Sequence, residues 1–211
     1  MKFLLCIAFV ALLAQEASAR VPTYTTPLSK FSKEWDNPRY KVCNTAEHVK
    51  YMTADEKEII FVLNLARMDP QLFRKTILRN ANQVVGVDTS SVTYFKSLDS
   101  TMRVLKPLPL LQPDSLSALS ARMHAEGCGK TGYTGHVRQT PESRKATCFG
   151  GECCAYGTTG ALRVILELLV DQDVESLGHR RICLGEYKKI GTGIAPHSTY
   201  GTATVLDFLR R

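Results

Sequence analysis

The sequence of 211 residues predicts an α+β fold in which helices flank a small antiparallel sheet. Two segments, near residues 54–66 and 160–170, carry apolar residues at helical spacing. The C-terminal part ends in two strand-like runs separated by a short polar turn, which is typical of a β-hairpin. The chain shows no internal repeat and no low-complexity segment, so a single domain of mixed class is the expected architecture.

The first 19 residues have the features of a secretion signal. Lys2 gives a positive start, residues 3–13 form an apolar run of 11 residues, and Ala17-Ser18-Ala19 is a small-x-small cleavage site. A membrane-spanning helix needs about 20 apolar residues, so this run is too short to be an anchor. We predict a mature chain that starts at Arg20, has no transmembrane segment after cleavage, and is extracellular or periplasmic.

Residues 20–50 are predicted to form an N-terminal arm, and residues 51–211 the folded domain. Three prolines interrupt the arm, and its polar residues show no periodicity. The domain begins sharply, because Thr53 and Glu56 have the spacing of a capping box at the start of a helix. Ile59, Val62, Leu63 and Ala66 then predict one buried helix face.

Asp69-Pro70 predicts the end of this first helix or a kink, with a shorter helical piece over residues 71–78. Residues 80–112 carry little signal. Asp114 is expected to cap a second helix, and glycines between residues 127 and 135 precede a predicted long loop over residues 133–151. The apolar face of the second helix is expected to be Leu116, Leu119 and Met123.

The third helix is predicted over residues 160–170, with an apolar face of Leu162, Ile165, Leu168 and Leu169. Residues 189–195 and 202–209 are the two predicted strands, and residues 198–201 turn between them.

The net charge of +7 is unchanged when the signal is removed, because Lys2 and Glu16 leave together. The basic residues are scattered in pairs, no basic stripe interleaved with aromatic residues is present, and no nucleic-acid-binding motif occurs. A solvated basic surface is the expected reading, and no nucleic-acid partner is predicted.

The cysteine content agrees with export. Cys6 leaves with the signal, and an even number in an oxidising compartment favours disulfides, for which six cysteines allow 15 pairings. A bond between the neighbours Cys153 and Cys154 would be strained, and in an extended segment their side chains point to opposite faces. No two cysteines have zinc-knuckle spacing, which disfavours a zinc–thiolate cluster. The disulfide candidates are Cys43, Cys128, Cys148, Cys153, Cys154 and Cys183.

Three segments of the domain together resemble one family. Residues 51–73 read YMTADEKEIIFVLNLARMDPQLF, and residues 108–136 run from LPLLQPDSLSALSARMHAEG to TGH. Residues 151–208 contain GECCAYG, LLVDQDVESLGHRR and KKIGTGIAPHSTYGTATVLDF. In this order and spacing they resemble the CAP superfamily of cysteine-rich secretory proteins, antigen 5 and pathogenesis-related proteins, in particular its secreted bacterial-type SCP-like domains.

The resemblance implies an α-β-α sandwich with a central cleft lined by two histidines and two acids, which in some members bind a divalent metal. Matched by motif, the histidines are His136 and His179, and the first acid is Glu152. The second acid is Asp171, with Glu167 and Asp173 as fallbacks. A zinc-like ion held by the histidines with these acids is therefore a possible cofactor.

Two departures from the family pattern bear on this site. Cys153 stands where the family has an asparagine, so any hydrogen bond of that amide must be lost or replaced, for example by a disulfide. Leu168 stands where the family has a tryptophan, and Asp171 is one methylene shorter than the usual glutamate. An altered or weakened metal site is consistent with these changes.

The residues alone also allow structural roles for these polar groups. Glu152 and Asp171 could pair with nearby arginines, with Arg180 either holding a cleft acid or lying on the surface. His124, which lies beside the apolar face of the second helix, is expected to be a packing residue, and His48 and His197 are expected at the surface.

No Gly-x-Ser-x-Gly or His-Glu-x-x-His motif occurs, so catalysis is not favoured. The leading hypothesis is a secreted CAP-domain protein, expected to be a monomer, whose cleft binds a small ligand, lipid or envelope component. A metal-assisted extracellular hydrolase of peptide or cell-wall material is the first alternative. A lipid- or sterol-binding or host-interaction module is the second.

Overall fold

A computed structural model describes residues 23–85 and 93–211, and the predicted signal peptide lies outside these ranges. The predicted α+β class is confirmed. Short 3-10 helices occupy Lys33–Trp35, Pro38–Cys43 and Leu78–Asn80. The helices are α1 (Ala54–Met68), α2 (Pro70–Thr76), α3 (Ala81–Val85), α4 (Thr93–Val104), α5 (Ser115–Thr131), α6 (Pro141–Lys145), α7 (Ala161–Val170) and α8 (Gly178–Cys183). The strands are β1 (Gln112–Pro113), β2 (Gly151–Tyr156), β3 (Lys189–His197) and β4 (Gly201–Leu209).

The four strands form one sheet in the order β1-β3-β4-β2. The predicted C-terminal hairpin is confirmed, since β3 and β4 pair in antiparallel fashion around the turn at residues 198–200. Strand β2 pairs antiparallel with the other edge of β4, and this register places Glu152 directly opposite Asp207. The sheet is mixed rather than wholly antiparallel, because the short β1 runs parallel to β3.

Helices cover both faces of this sheet. Helix α5 packs on β3 and β4 from one side, whereas α1, α7 and α8 pack on β2 and β3 from the other. Side chains of β4 alternate between the two faces of the sheet, as this layering requires. Ala203 and Val205 pack in a small hydrophobic cluster under α5, and Leu206 and Phe208 pack in the main core on the other face. The molecule is therefore a three-layer sandwich of helix, sheet and helix.

The approach of α5 to the sheet is very close. A Cβ added to Gly193 would lie 2.3 Å from the backbone nitrogen of Arg122, and one added to Gly191 would lie 1.9 Å from that of Ala118. The predicted apolar face of α5 is consequently wrong: Leu116 and Leu119 are 62% and 46% exposed. Large side chains do not fit into so narrow a gap, so small residues face the sheet, among them Ser117, Ala118, Ser120, Ala121 and Ala125.

Helix α1 begins as predicted, with Thr53 and Glu56 each accepting a hydrogen bond from the other's backbone nitrogen. It ends before Pro70, where α2 starts. The side chain of Asn64 donates to the carbonyls of Cys43 and Leu111 and accepts from the Leu111 nitrogen. Asn64 thereby holds two loops that are distant in sequence. Arg67, on the same helix, has a similar role.

Arg67 is fully buried in the core. Its guanidinium donates to the carbonyl of Pro109 before β1, to that of Cys183 at the end of α8, and to those of Gly185 and Tyr187 before β3. A buried cation needs this many acceptors, because an unpaired charge in the core would cost several kcal/mol. The end of α1 is thus joined to two connections that lie far along the chain.

The segment assigned to the arm packs against the domain from residue 23 onward. Leu28, Trp35 and Tyr40 are fully buried, and the Trp35 indole donates to the Thr76 hydroxyl at 2.9 Å. The predicted loop over residues 133–151 contains the short helix α6 and ends at β2. Among the described residues, no helix is both long enough and apolar enough to cross a bilayer.

Candidate functional site

The first histidine of the candidate site is paired with the first acid. His136 lies in the loop after α5, and its Nδ1 is 2.8 Å from Oε1 of Glu152 on β2. The imidazole is 58% exposed while the carboxylate is buried. The hydrogen bond with Glu152 raises the pKa of His136, although partial burial opposes this. The carboxylate therefore fixes the orientation of a ring whose other side is open to solvent.

The second histidine is paired in the same way. Nδ1 of His179, in the first turn of α8, lies 2.7 Å from Oδ1 of Asp171. Asp171 follows α7 in the left-handed region, with φ of 55°. Its other oxygen accepts from the backbone nitrogen of Arg180 at 3.2 Å. Of the three acids considered from the sequence, Asp171 is the one that contacts His179, while Glu167 is exposed on α7.

The loop between α7 and α8 is held by Arg180, which is buried rather than solvated. Its guanidinium donates to the carbonyls of Leu169 and Val170 at the end of α7 and to the hydroxyl of Ser97 on α4. Non-glycine residues with positive φ are costly and persist only where their surroundings enforce them. The contacts of Arg180 supply that enforcement and so position the carboxylate of Asp171.

The two imidazoles face each other across the sheet edge. Their ring centroids lie 6.2 Å apart at an angle of 44°. In both rings Nδ1 contacts a carboxylate, which fixes it as the protonated nitrogen in the neutral tautomer. Each Nε2 is then left with a free lone pair, and no described residue makes a hydrogen bond to either one.

A buried polar cluster supports Glu152 from behind. The guanidinium of Arg138 lies 2.5 Å from Oε2 of Glu152 and 3.3 Å from Oδ2 of Asp207 on the neighbouring strand. The Ser120 hydroxyl of α5 is 2.5 Å from the same Asp207 oxygen. All four side chains are buried, so two carboxyl groups share one cation in a dry environment.

Because the two acids share one cation, their pKa values shift in opposite directions. Burial and the charge of Glu152 raise the pKa of Asp207 to about 8. Burial alone would raise the pKa of Glu152 too, but the hydrogen bond from His136 and the charge of Arg138 lower it below its usual value. At neutral pH Asp207 is therefore protonated, and a hydrogen bond with Glu152 contributes to the rise in its pKa.

The structure also gathers a group that the sequence spacing did not indicate. One side-chain atom from each of His124, Glu152 and Cys154 lies within 4.8 Å of the others, in a buried position. The Nε2 atom of His124 is 2.9 Å from the carbonyl of Gly135, an acceptor only, so this nitrogen carries the proton. The lone pair of Nε2 is therefore not available, and a metal bound at this nitrogen would have to displace that hydrogen bond.

The thiol of Cys154 is equally unsuited to act as a nucleophile. It lies 3.8 Å from Nδ1 of His136, the separation of a weak contact. Burial raises its pKa well above the ordinary value, and the nearby Glu152 charge acts in the same direction. Nucleophilic cysteines need a lowered pKa, so this pair is not an activated catalytic dyad.

The two adjacent cysteines point to opposite faces, as an extended segment requires. Cys154 packs with the residues beneath α5, and Cys153 belongs to the main core. All six predicted disulfide candidates are free thiols in the structure. His197, expected at the surface, is instead buried, with Nε2 3.1 Å from the carbonyl of Tyr133.

A cavity of about 370 Å³ opens beside His179. Phe95, Leu166 and Val174 give it apolar walls, and Arg163 and Glu167 place charged groups at its border. The cavity is thus a mixed polar and apolar space adjoining one of the two imidazoles.

Comparison with known proteins gives little further information. No protein-family model matches the chain, and no curated protein matches it significantly. A solved structure with some similarity is an extracellular protein containing a SCP domain from Bacillus anthracis str. Ames. The identity is 21% and the TM-score 0.40, and the match covers 56% of this chain and 39% of that one. The match thus spans less than half of that protein's length.

Proposed function

We propose that this chain is a secreted protein of the CAP superfamily whose cleft binds a divalent metal ion, and with it a small ligand, between His136 and His179. The observation that carries the proposal is the pair of histidine–carboxylate contacts, 2.8 and 2.7 Å long, whose rings face each other. The signal-like residues 1–19 and the three motif segments support export and the family.

The donor set suits a metal of borderline softness. Neutral imidazole is a ligand for zinc, copper and nickel ions, and a carboxylate on the opposite nitrogen is the usual outer-shell partner. Two imidazoles bound to one tetrahedral ion at ~2.0–2.1 Å would have ring centres roughly 5 Å apart. The observed separation of the ring centroids is 6.2 Å, so small movements of the two rings toward each other would bring them to the distance that a shared ion requires.

In this arrangement the two acids orient the ligands and do not bind the ion. Glu152 and Asp171 are buried and already engaged with Nδ1 of the two rings. They hold each proton on the nitrogen that faces away from the cleft and increase the basicity of the other nitrogen. Two protein ligands leave further positions for water or for a polar group of a bound molecule.

The cavity beside His179 gives such a molecule a place. Its apolar walls would bury the body of a small organic ligand, and a polar group could reach the imidazoles. Arg163 at the border favours a ligand that carries negative charge. An anionic or metal-chelating small molecule with an apolar part fits this chemistry best.

Isothermal titration of the signal-free protein with Zn²⁺ tests the proposal. We expect one equivalent to bind, and binding to be lost in the double variant His136→Ala/His179→Ala. His48→Ala is the matched control, since this histidine is exposed and, among the described residues, its ion pair is with the neighbouring Glu47. Binding should weaken as the pH falls, because protons compete with the metal for the imidazole nitrogens, and the raised pKa of His136 makes that competition begin at a higher pH.

A second variant separates the two candidate centres. If His124, Glu152 and Cys154 held the metal, Co²⁺ would show thiolate charge-transfer absorption, which Cys154→Ser would remove. We expect no such band. Zinc uptake that persists unchanged in the His136→Ala/His179→Ala protein would refute the site.

A further inference from the structure

Two cysteine sulfurs meet in the main core. Cys153 lies in β2 and Cys183 is the last residue of α8, and their Sγ atoms are 3.9 Å apart. Both residues are completely buried. Among the described residues, the only other hydrogen-bonding neighbour of the Cys153 sulfur is the carbonyl oxygen of His179, at 3.7 Å. The two thiols thus face each other with no competing partner between them.

We propose that Cys153 and Cys183 form a disulfide that joins β2 to α8. A disulfide needs its sulfurs about 2.05 Å apart, so each sulfur has to move by roughly 1 Å, which a small change of side-chain torsion provides. Cys154, by contrast, faces α5 on the other side of the sheet. Cys43 packs against the sulfur of Met68, and Cys128 contacts His124 and Tyr156.

The bond forms by thiol–disulfide exchange. One thiolate of the pair attacks a disulfide-carrying oxidant, giving a mixed disulfide, and the second thiolate then displaces the oxidant as a thiol. The pair loses two protons and two electrons, and the oxidant's disulfide is reduced to two thiols. Burial raises the pKa of Cys153 far above the ordinary value, so the exchange takes place during folding, before the core closes.

The location of this bond gives it a role in the cleft. Cys153 follows Glu152, and α8, which ends at Cys183, carries His179. The disulfide therefore fixes the strand that bears the carboxylate of one histidine–carboxylate pair to the helix that bears the histidine of the other. It also closes the chain segment that contains α7 and the positive-φ residue Asp171.

The experiment is a non-reducing tryptic digest of the full mature chain refolded in a mixture of reduced and oxidised glutathione. Cleavage places Cys153 in the peptide 146–163 and Cys183 in the peptide 182–188. Because the first peptide also contains Cys148 and Cys154, the digest uses the Cys148→Ser/Cys154→Ser background. We expect one linked species, lighter by two hydrogen atoms than the sum of its peptides, which is absent when Cys183→Ser is added.

Thermal unfolding supplies a second readout on the same background. Reduction with dithiothreitol should lower the midpoint by roughly 10 °C, as expected for a cross-link over a loop of this length. The same treatment should leave the midpoint of the variant that also carries Cys183→Ser unchanged. Alkylation of the sulfurs of both Cys153 and Cys183 after oxidative refolding, or a link from Cys183 to a different cysteine in the wild-type chain, would overturn the proposal. No metal is added, so this outcome is independent of the zinc test.

Discussion

Replacing Asp207 by asparagine should remove a pH dependence from the stability of the fold. Asp207 is fully buried and lies opposite Glu152 in the sheet. An asparagine has the same shape, can donate its amide to Glu152, and can still accept from Ser120 and Arg138. It imitates the protonated acid but cannot ionise, so the variant isolates the proton that the folded protein holds at this position.

The magnitude follows from the pKa of Asp207, which is about 8 in the folded protein against 3.8 for an unperturbed aspartate. Between these values the folded state holds a proton that the unfolded state has released. The free energy of unfolding should therefore fall as the pH rises, by about 1.4 kcal/mol per pH unit, and level off above about 8. Over the whole interval the loss reaches roughly 6 kcal/mol at most.

Glu152 acts in the opposite sense and in a different range. Its lowered pKa contributes stability that is present at neutral pH and is lost only as the medium becomes strongly acidic. Measurements from pH 5 to pH 9 therefore report chiefly on Asp207. The difference between Asp207→Asn and the wild type cancels the titration of groups that both proteins share.

Urea unfolding followed by the fluorescence of Trp35, the single tryptophan and a fully buried one, gives the required free energies. We expect the advantage of Asp207→Asn over the wild type to grow steadily from pH 5 to pH 8 and then to stay constant. Glu126→Gln, an exposed acid on the outer side of α5, is the control and should follow the wild-type profile. Parallel profiles for Asp207→Asn and the wild type would refute the reasoning.

Three further predictions concern the cleft and the layer contact. Asp171→Asn keeps a residue that tolerates positive φ but removes the negative charge next to Nδ1 of His179. Zinc affinity measured by calorimetry should therefore fall by roughly 10–100-fold, and an unchanged affinity would contradict the orienting role of Asp171. Gly193→Ala should lower the free energy of unfolding by about 2–3 kcal/mol because its Cβ meets the backbone of α5, whereas Gly150→Ala, with 3.6 Å to its nearest neighbour, should have little effect in the same urea assay. Glu152→Gln should lower the pKa of His136 in an NMR titration, and a pKa that does not move would show that the hydrogen bond has no such effect.

Local signals predicted the parts of the fold that local physics determines. The capping box of α1, the stop at Pro70 and the hairpin turn need only neighbouring residues, and all three are confirmed. Helix α4 had no predicted counterpart, although Phe95, Leu98 and Met102 lie at helical spacing on its buried face. That spacing was present in the sequence and could have predicted the helix.

The buried face of α5 shows a different limit. Hydrophobicity favours Leu116 and Leu119 as the packed residues, yet the glycines of β3 bring the helix too near the sheet for them. That distance is a property of two elements separated by about sixty residues, and periodicity within one helix carries no information about it. The same reason explains why the pairing of Asp207 with Glu152 was not predicted, since it depends on strand register.

The contacts of Arg67 have a consequence for how the molecule opens. If the connection between α8 and β3 detached on its own, the guanidinium would lose most of its acceptors while still enclosed by the core. Such partial opening is unfavourable because it leaves the buried guanidinium without hydrogen-bond acceptors. We therefore expect the amide hydrogens of this connection and of the chain before β1 to exchange only when α1 also unfolds. One side chain thereby makes three segments that are remote in sequence behave as a single cooperative unit, and His179 lies on the helix that this unit includes.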